Sequence, residues 1–228
     1  MNTDEGIRMK EEGKYVLLLL DGEEPSKKIL EQFVKDASCI IAADGAAVYA
    51  HANNISPDII IGDMDSLSKE IRNEFEAAGT RIIEEPEQQS NDFEKALRYI
   101  LSQVMGTDVI VLGIHGKRTD HFLTNFSVML RYTDSFDSLI AYDATHEHHF
   151  LTEENHWYSF KASVGTLISL TPLPQALGVT TSGLYYPLKN ARMIFGECEG
   201  LGNIIIAEDA RVEIIKGAVL ISISFRKH

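Results

Sequence analysis

The chain has 228 residues, of which 44% are hydrophobic and 24% charged, a balance typical of globular proteins and not of disordered or membrane-spanning chains. The formal net charge of −13 argues against a protein that binds nucleic acid or an anionic membrane through its overall field. No apolar run reaches the roughly 18 residues of a membrane span, and the acidic N-terminal segment does not resemble a signal peptide, so we expect a cytoplasmic protein. Cys39 and Cys198 lie far apart, which argues against a disulfide framework and predicts two small buried residues.

The first half of the chain alternates between apolar strands and amphipathic helices. Residues 1–13 are predicted to form a mobile tail, followed by an α/β domain over 14–145. Apolar runs of strand length predict strands at 14–20, 38–43, 57–63, 80–85, 108–113 and 138–143. Helical spacing and capping residues predict helices at 25–37, 68–79, 91–106 and 119–133. This alternation predicts a mostly parallel sheet covered by helices on both faces, a Rossmann-like three-layer fold.

After about residue 145 the helical period disappears. Short β-type runs follow one another, many of them separated by Gly, Pro, Asn or Asp, which predicts an all-β sandwich or open barrel over 146–228. Trp157, Tyr158 and Phe160 are interpreted as part of the core of this domain. The His-rich segment 143–150 is interpreted as a solvated loop, because its spacing indicates no third metal ligand beside His146 and His148.

Acidic and glycine residues recur where strands of the first domain are predicted to end. Asp44 and Gly45 follow the second strand, and Asp63 and Asp65 follow the third, where alternate residues of an extended segment share one face. Because ligands of parallel sheets bind at the carboxyl ends of strands, these positions define a candidate site. Two further segments place polar residues between a strand and a helix: Asn91 and Asp92 in the first, and Gly113, Gly116, Lys117, Arg118, Asp120 and His121 in the second.

These residue types predict a nucleotide–magnesium site. Neighbouring carboxylates repel one another unless a cation lies between them, and oxygen ligands combined with phosphate oxygens suit Mg²⁺. A glycine-containing loop before a helix lets backbone N–H groups approach phosphate, and Lys117 and Arg118 would add positive charge there. Neither a Walker loop nor a GxGxxG fingerprint is present. As alternatives, Asp92 and Asp120 are helix caps, and Arg118 simply pairs with Asp120.

Taken together, the motifs resemble the thiamine pyrophosphokinase family from about Asp44 to the C-terminus. The corresponding segments are Asp44-Gly45, PD and GDMDS within 57–66, NDFEKAL at 91–97, the stretch from Gly113 to Asn125, and GLYYPL at 183–188. Each motif is short, but the ordered set is specific. The resemblance implies an α/β domain followed by a β-sandwich, in agreement with the fold predicted from the residues.

The resemblance implies transfer of the diphosphate group of ATP to the hydroxyl of thiamine, with release of AMP. It implies Mg²⁺ bound by Asp63, Asp65 and Asp92, with Asp44 as a possible further ligand, and Arg118 as the cation that stabilises the transferred group. The proton acceptor stays open between Asp120, Asp92 and another carboxylate oxygen. The resemblance also implies two groups of binding residues: for ATP, Asp44, Gly45, Ser66, Asn91, Gly113, Gly116, Lys117, Arg118 and His121; for thiamine, Gln89, Tyr185, Tyr186, Gly202 and Asn203.

The resemblance further implies a homodimer, in which thiamine binds between the α/β domain of one subunit and the β-domain of the other. The chain departs from the family pattern at four positions: Lys117 replaces a glycine, Gln89 and Asn91 replace Asp and Thr, and Gly202 replaces a serine. Gly202 leaves open a diphosphokinase for another hydroxyalkyl heteroaromatic, such as a pterin. Gln89 leaves open a nucleotide- or vitamin-binding protein without turnover.

Overall fold

The computed structural model describes residues 14–103 and 108–227, and the chain divides into two compact units between Ala144 and Thr145. Each unit has its own cluster of buried apolar side chains. The expected tail at 1–13 and the expected helix end at Gly106 lie outside the described residues. Among the described residues, none of the helices is long and apolar enough to cross a membrane.

Over its described residues, the first unit is an α/β fold with six strands and five α-helices. The strands are β1 (Tyr15–Leu19), β2 (Ala37–Ala43), β3 (Ile59–Gly62), β4 (Arg81–Glu84), β5 (Asp108–Leu112) and β6 (Ser138–Tyr142). The helices are α1 (Lys27–Asp36), α2 (Asp44–Ala52), α3 (Lys69–Ala77), α4 (Asp92–Gln103) and α5 (Thr119–Tyr132), the last followed by a 3₁₀ turn at Thr133–Ser135.

All neighbouring strands of this sheet are parallel, in the order β4-β3-β2-β1-β5-β6. Every residue of β2 is buried, as expected for a strand covered on both faces. The chain lays down β1 to β4 in one direction and then returns to place β5 beside β1. The predicted α/β fold with a mostly parallel sheet is therefore confirmed, and its carboxyl edge carries the loops that follow β1 to β5.

Local capping explains where several helices begin. The Ser26 and Ser68 hydroxyls accept hydrogen bonds from the backbone N–H groups of Ile29 and Ile71, at 3.4 and 3.3 Å. Asn91 caps α4 in the same way by accepting from Glu94 N at 2.9 Å. The sequence pattern did not predict α2, because its buried alanines and Asp44 leave it with little of the two-sided pattern of an amphipathic helix.

The second unit is built from antiparallel strands. They are β7 (His146–Leu151), β8 (Trp157–Ser159), β9 (Thr166–Ser182), β10 (Ala191–Ile194), β11 (Gly200–Ile204), β12 (Arg211–Glu213) and β13 (Lys216–Lys227). The long strand β9 is the organising element, since it pairs with β10, β11, β12 and β13 along different parts of its length. β13 also pairs with β7, and β12 with β8. This confirms the predicted β-rich second half.

Three smaller predictions for this half are wrong. The His-rich segment is not a solvated loop: it forms β7, and His148 and His149 are buried. Trp157 is not part of the core, because strand alternation turns Tyr158 toward the core and leaves Trp157 61% exposed, while Phe160 is buried as predicted. Cys198 is exposed, whereas Cys39 is buried as predicted.

Candidate active site

A cavity of about 400 Å³ opens at the carboxyl edge of the parallel sheet in the first unit. A volume of this size is typical of small-molecule sites. Loops after β1, β2, β3, β4 and β5 all contribute to its wall, which brings together residues far apart in sequence. The predicted site residues that line it are Gly45, Asp63, Asp65, Ser66, Asn91, Asp92, Gly116, Arg118 and His121.

Three carboxylates form a cluster at this cavity. Asp44, Asp63 and Asp65 each offer one oxygen, and these oxygens all lie within 4.8 Å of one another. Asp44 begins α2 directly after β2, and the other two lie in the loop that follows β3. A set of carboxylate oxygens is the donor set that Mg²⁺ prefers.

Asp44 carries the strongest indication that a cation belongs here. Its side chain is buried, and Oδ2 accepts a hydrogen bond from Ser66 N at 3.0 Å. Oδ1 is also buried but has no hydrogen-bond partner among the described residues. Burial raises the pKa of Asp44 above its usual range, and Asp92 and Asp65 add to this effect. A cation beside Oδ1 would supply the missing interaction, so the residues present fit a magnesium ion.

Asp63 and Asp65 are oriented by their neighbours. Gln88 Nε2 donates to Asp63 Oδ2 at 2.9 Å, and this hydrogen bond is the main reason that the pKa of Asp63 is lowered. The Ser66 hydroxyl donates to Asp65 Oδ1 at 3.0 Å. Asp63 is therefore held as a carboxylate that faces the cavity.

The fourth predicted ligand, Asp92, lies in the cavity wall but outside the three-carboxylate cluster. Its Oδ1 accepts from Lys95 Nζ at 3.0 Å, one turn along α4, and the lysine is buried. Because burying a lysine without a partner is costly, Asp92 and Lys95 form a mutually dependent pair. The structure thus brings together three of the four predicted carboxylates and pairs the fourth with a cation.

Asn91 joins the two helices that flank the cavity. Its Nδ2 donates to Asn125 Oδ1 at 3.0 Å, and Asn125 in turn donates to the carbonyl of Ile114 at 3.2 Å. This chain of hydrogen bonds ties the start of α4 to α5 and to the loop after β5. Asn91 therefore fixes the geometry of the wall in addition to lining it.

Arg118 lies at the rim and pairs with Asp120. Its Nε donates to Asp120 Oδ1 at 3.1 Å, and a second bond joins Nη2 to Oδ2. The guanidinium lowers the pKa of Asp120 to about 2, which makes this carboxylate a weak proton acceptor. Asp120 does not line the cavity, whereas Arg118 and His121 do.

Some predicted residues do not reach the cavity wall. Gly113 and Lys117 lie beside it, and Lys117 forms an ion pair with Asp21. Gln89 is exposed and bonds through its backbone N to Glu87, so its neighbour Gln88 is the residue that faces the site. Gln89 does not line this cavity and stays a predicted thiamine-binding residue.

Five polar side chains of the described cavity wall were missing from the predicted site residues: Asp21, Gln88, Ser90, Lys95 and Asn125. Asp21-Gly22 directly follows a buried strand, and Asp44-Gly45 was singled out for the same reason. That shared pattern could have identified Asp21. Lys95 carried no such signal, since a lysine in the first turns of a helix is usually exposed.

In the second unit, the predicted thiamine residues surround one turn. Asn203 is buried, and its side chain accepts from Tyr186 N at 3.0 Å and Ile204 N at 2.9 Å and donates to the Tyr186 carbonyl at 2.8 Å. Asn203 thus holds the turn that presents Tyr185 and Tyr186, both of which are more than half exposed. Its polar atoms bond to this turn and the next residue instead of facing solvent.

Gly202 occupies a backbone conformation that favours glycine. Its φ is +65°, in the left-handed region, and its N–H donates to the Ser169 hydroxyl at 3.1 Å. A hydroxyl from β9 is therefore already present beside this position. The backbone explains why glycine is accommodated here, although nothing in the geometry shows what the missing serine would have contacted.

Fold and site together define a class: a two-domain protein whose parallel α/β sheet presents clustered carboxylates and cations suited to a metal–phosphate ligand. The model of the thiamin pyrophosphokinase catalytic domain matches residues 30–140, and that of the thiamin pyrophosphokinase vitamin B1 binding domain matches residues 148–219. The chain belongs to the thiamine pyrophosphokinase family.

Individual relatives agree with this assignment. Thiamine pyrophosphokinases 1 and 2 of Arabidopsis thaliana are 30% and 31% identical over 71% of this chain, which spans 63% of the length of each. The solved structure of thiamin pyrophosphokinase from Candida albicans has a similar fold, with a TM-score of 0.81 and 19% identity over 94% of this chain and 90% of that one.

Proposed function

We propose that this protein is an ATP-dependent thiamine diphosphokinase. It would transfer the diphosphate group of ATP to the hydroxyl of thiamine and release AMP. The observation that carries the proposal is the cluster of Asp44, Asp63 and Asp65, of which Asp63 and Asp65 line one cavity with Arg118, in a chain that matches both domains of this family. Mg²⁺ at this cluster would offset the negative charge of the phosphates.

The residues around the cavity would bind the metal, stabilise charge on the transferred group and accept the proton. Asp44, Asp63 and Asp65 would hold the metal, with Asp92 beside them and paired with Lys95. Arg118 presents a planar fork that can donate to two phosphate oxygens, which suits it to stabilise charge on the transferred group. Because Arg118 lowers the pKa of Asp120 to about 2, and because Asp120 does not line the cavity, Asp120 is a weak candidate for the proton acceptor.

We propose that thiamine is recognised with the help of the second unit. The Tyr185–Tyr186 turn, held by Asn203, offers exposed aromatic faces, and aromatic faces bind cationic rings well. The functional form would be a homodimer, in which the α/β domain of one subunit and the β-domain of the other share the substrate. The reaction would take place in the cytoplasm. Light scattering of the purified protein tests the dimer directly, and a monomer at micromolar concentration would contradict it.

A product assay tests the activity. Purified protein is incubated with Mg-ATP, with and without thiamine, and the nucleotides and thiamine phosphates are separated by chromatography. We expect thiamine-dependent AMP in equal amount to thiamine diphosphate. ADP with thiamine monophosphate would show transfer of a single phosphate and overturn the proposal.

A parallel set of acceptors tests the substrate. Hydroxyalkyl pterins replace thiamine at equal concentration, with Mg-ATP unchanged. AMP formation with a pterin but not with thiamine would keep the chemistry and change the acceptor. Binding of Mg-ATP without AMP from any acceptor would indicate a nucleotide-binding protein without turnover.

A further inference from the structure

We infer that Asp21 is a displaceable counter-ion, which holds the Lys117 ammonium at the cavity rim and yields it to the phosphates of the incoming nucleotide. Asp21 would thereby limit how tightly the phosphate chain binds. The inference rests on the proposed function only in so far as the cavity accepts a nucleotide phosphate chain.

The Lys117–Asp21 ion pair joins two loops that backbone contacts already hold together. The loop after β1 and the loop after β5 are linked by backbone hydrogen bonds from Leu20 N to the Leu112 carbonyl at 2.8 Å and from Glu23 N to the His115 carbonyl. Gly22 packs so closely that an added Cβ would lie 1.9 Å from the Gly113 carbonyl oxygen. Because this backbone contact holds the loops, the side-chain ion pair is not needed to keep them together.

Lys117 lies where the backbone favours another residue. Its φ is +54°, in the left-handed region that residues other than Gly, Asn and Asp seldom adopt. A lysine in this conformation adds strain to the loop, and strain of this kind is concentrated at functional sites. The ammonium it contributes is bonded to Asp21, which itself lines the cavity, so the charge lies beside the cavity wall.

The electrostatics of the rim favour an exchange of partners. Among the described residues, three cations that line or border the cavity are each paired with a carboxylate: Lys95 with Asp92, Arg118 with Asp120, and Lys117 with Asp21. Buried Lys95 pairs with Asp92 within α4, and Arg118 pairs with Asp120 at the start of α5, whereas Lys117 and Asp21 come from different loops.

The Lys117–Asp21 pair is also easy to break. Both side chains are about half exposed, at 52% each. An exposed ion pair of this kind contributes little free energy, so a multiply charged phosphate chain can displace the carboxylate.

The test measures binding and not turnover. Isothermal titration calorimetry without thiamine gives the dissociation constants of Mg-ATP and of inorganic tripolyphosphate for wild type, Asp21→Asn, Lys117→Met and the double variant. Glu23→Gln is the matched control, because it removes one negative charge from the same loop. Among the described ion pairs, Glu23 Oε2 lies 3.6 Å from His115 Nδ1 and does not pair with Lys117. Thermal melting establishes that each variant is folded.

We expect Asp21→Asn to tighten binding of both ligands on the order of twofold to fivefold at low salt, the range of an exposed ion pair, and Lys117→Met to weaken it. In the Lys117→Met background, Asp21→Asn should have no effect, and high salt should abolish the gain in the single variant. Glu23→Gln should produce less than half of the gain.

Unchanged or weaker binding in Asp21→Asn would overturn the inference, the weaker result indicating that Asp21 itself helps to hold the metal. The same gain in the Lys117→Met background would also overturn it, because the effect would then not pass through Lys117. Wild-type protein that binds Mg-ATP but forms no thiamine diphosphate removes the proposed function and leaves the inference standing. Wild-type protein that binds neither ligand removes both.

Discussion

The two units of the protein use buried polar side chains in opposite ways. In the first, Asp44 is buried with one oxygen lacking a partner among the described residues, close to two further carboxylates. In the second, buried Asn203 and Thr181 bond to backbone groups of neighbouring turns. The first arrangement leaves interactions for a ligand to complete, and the second builds a rigid framework. Substitutions in the first unit should therefore affect activity more than stability, and those in the second should do the reverse.

The largest effect is expected for Asp63→Asn. Loss of one metal ligand should lower the rate of thiamine diphosphate formation on the order of a thousandfold or more, because the metal supplies several kcal/mol of charge stabilisation. Folding should change little, with Tm within about 3 °C of wild type, since an amide can retain a hydrogen-bonding oxygen at this position. Chromatographic product analysis and a thermal melt measure both quantities.

Asp36→Asn provides the control for this substitution. Asp36 ends α1 at the opposite edge of the sheet, and its side chain forms a long, exposed pair with Lys14. The same chemical change there should leave the rate unchanged. If Asp63→Asn retained wild-type turnover, the assignment of the carboxylate cluster to the metal would be lost.

For Asn203→Ala in the second unit, we expect a larger effect on stability than on the rate of the chemical step. The substitution removes three hydrogen bonds and leaves the N–H and carbonyl of Tyr186 and the N–H of Ile204 without this partner. We expect a loss of about 2–3 kcal/mol in the free energy of unfolding, measured by urea denaturation. The KM for thiamine should rise more than kcat falls, because the tyrosine turn is displaced while the carboxylate cluster is untouched. A stable variant with wild-type KM would contradict the role of Asn203 as a positioning residue.

The fold was largely predictable because its signals are local. The continuous apolar run at 38–43 identified a strand covered on both faces, and the serine cap at Ser68 identified the start of α3. The helix Asp44–Ala52 was missed, since alanines buried on several sides erase the amphipathic period. Trp157 was misplaced because the pattern did not show which face of a three-residue strand points inward.

The candidate site was predictable to the level of its loops but not of its pairings. Strand ends indicated Asp44, Asp63 and Asp65, since carboxyl ends of parallel strands meet at one edge. The pairing of Lys117 with Asp21 could not be read from the sequence, because 96 positions separate the two residues. The choice between Gln88 and Gln89 depends on a loop conformation that no periodicity encodes.

His149 is an exception to this difference between the two units. It is a buried side chain of the second unit, and its Nε2 has no hydrogen-bond partner among the described residues. Burial lowers its pKa to about 4, with His148 adding to the shift. Glu147 Oε1 lies 3.3 Å from Nε2, and the Tyr158 ring packs against the imidazole. Since the unfolded chain binds this proton near pH 6.5, the stability contribution is present above that pH and is lost as the pH falls toward 4.

We therefore expect wild type to lose about 2 kcal/mol more stability than His149→Leu between pH 7 and pH 4.5. Urea denaturation of both proteins across this range measures the difference, and other titrating groups cancel because both chains carry them. Parallel pH curves for the two proteins would show that the histidine is not buried as a neutral side chain.

The smallest effect on stability is expected for Asp44→Asn, which should stabilise the protein and not destabilise it. The amide can still accept from Ser66 N, while its NH₂ group replaces the unpartnered oxygen and can donate to the neighbouring carboxylates. Removing a buried charge near Asp65 and Asp92 should raise the free energy of unfolding by about 1 kcal/mol in metal-free buffer, although activity falls. Saturating Mg²⁺ should reduce this difference in the free energy of unfolding, because the metal stabilises wild type more than the variant. A variant less stable than wild type without metal would mean that Asp44 supports the fold, and the contrast between the two units would then fail at its central residue.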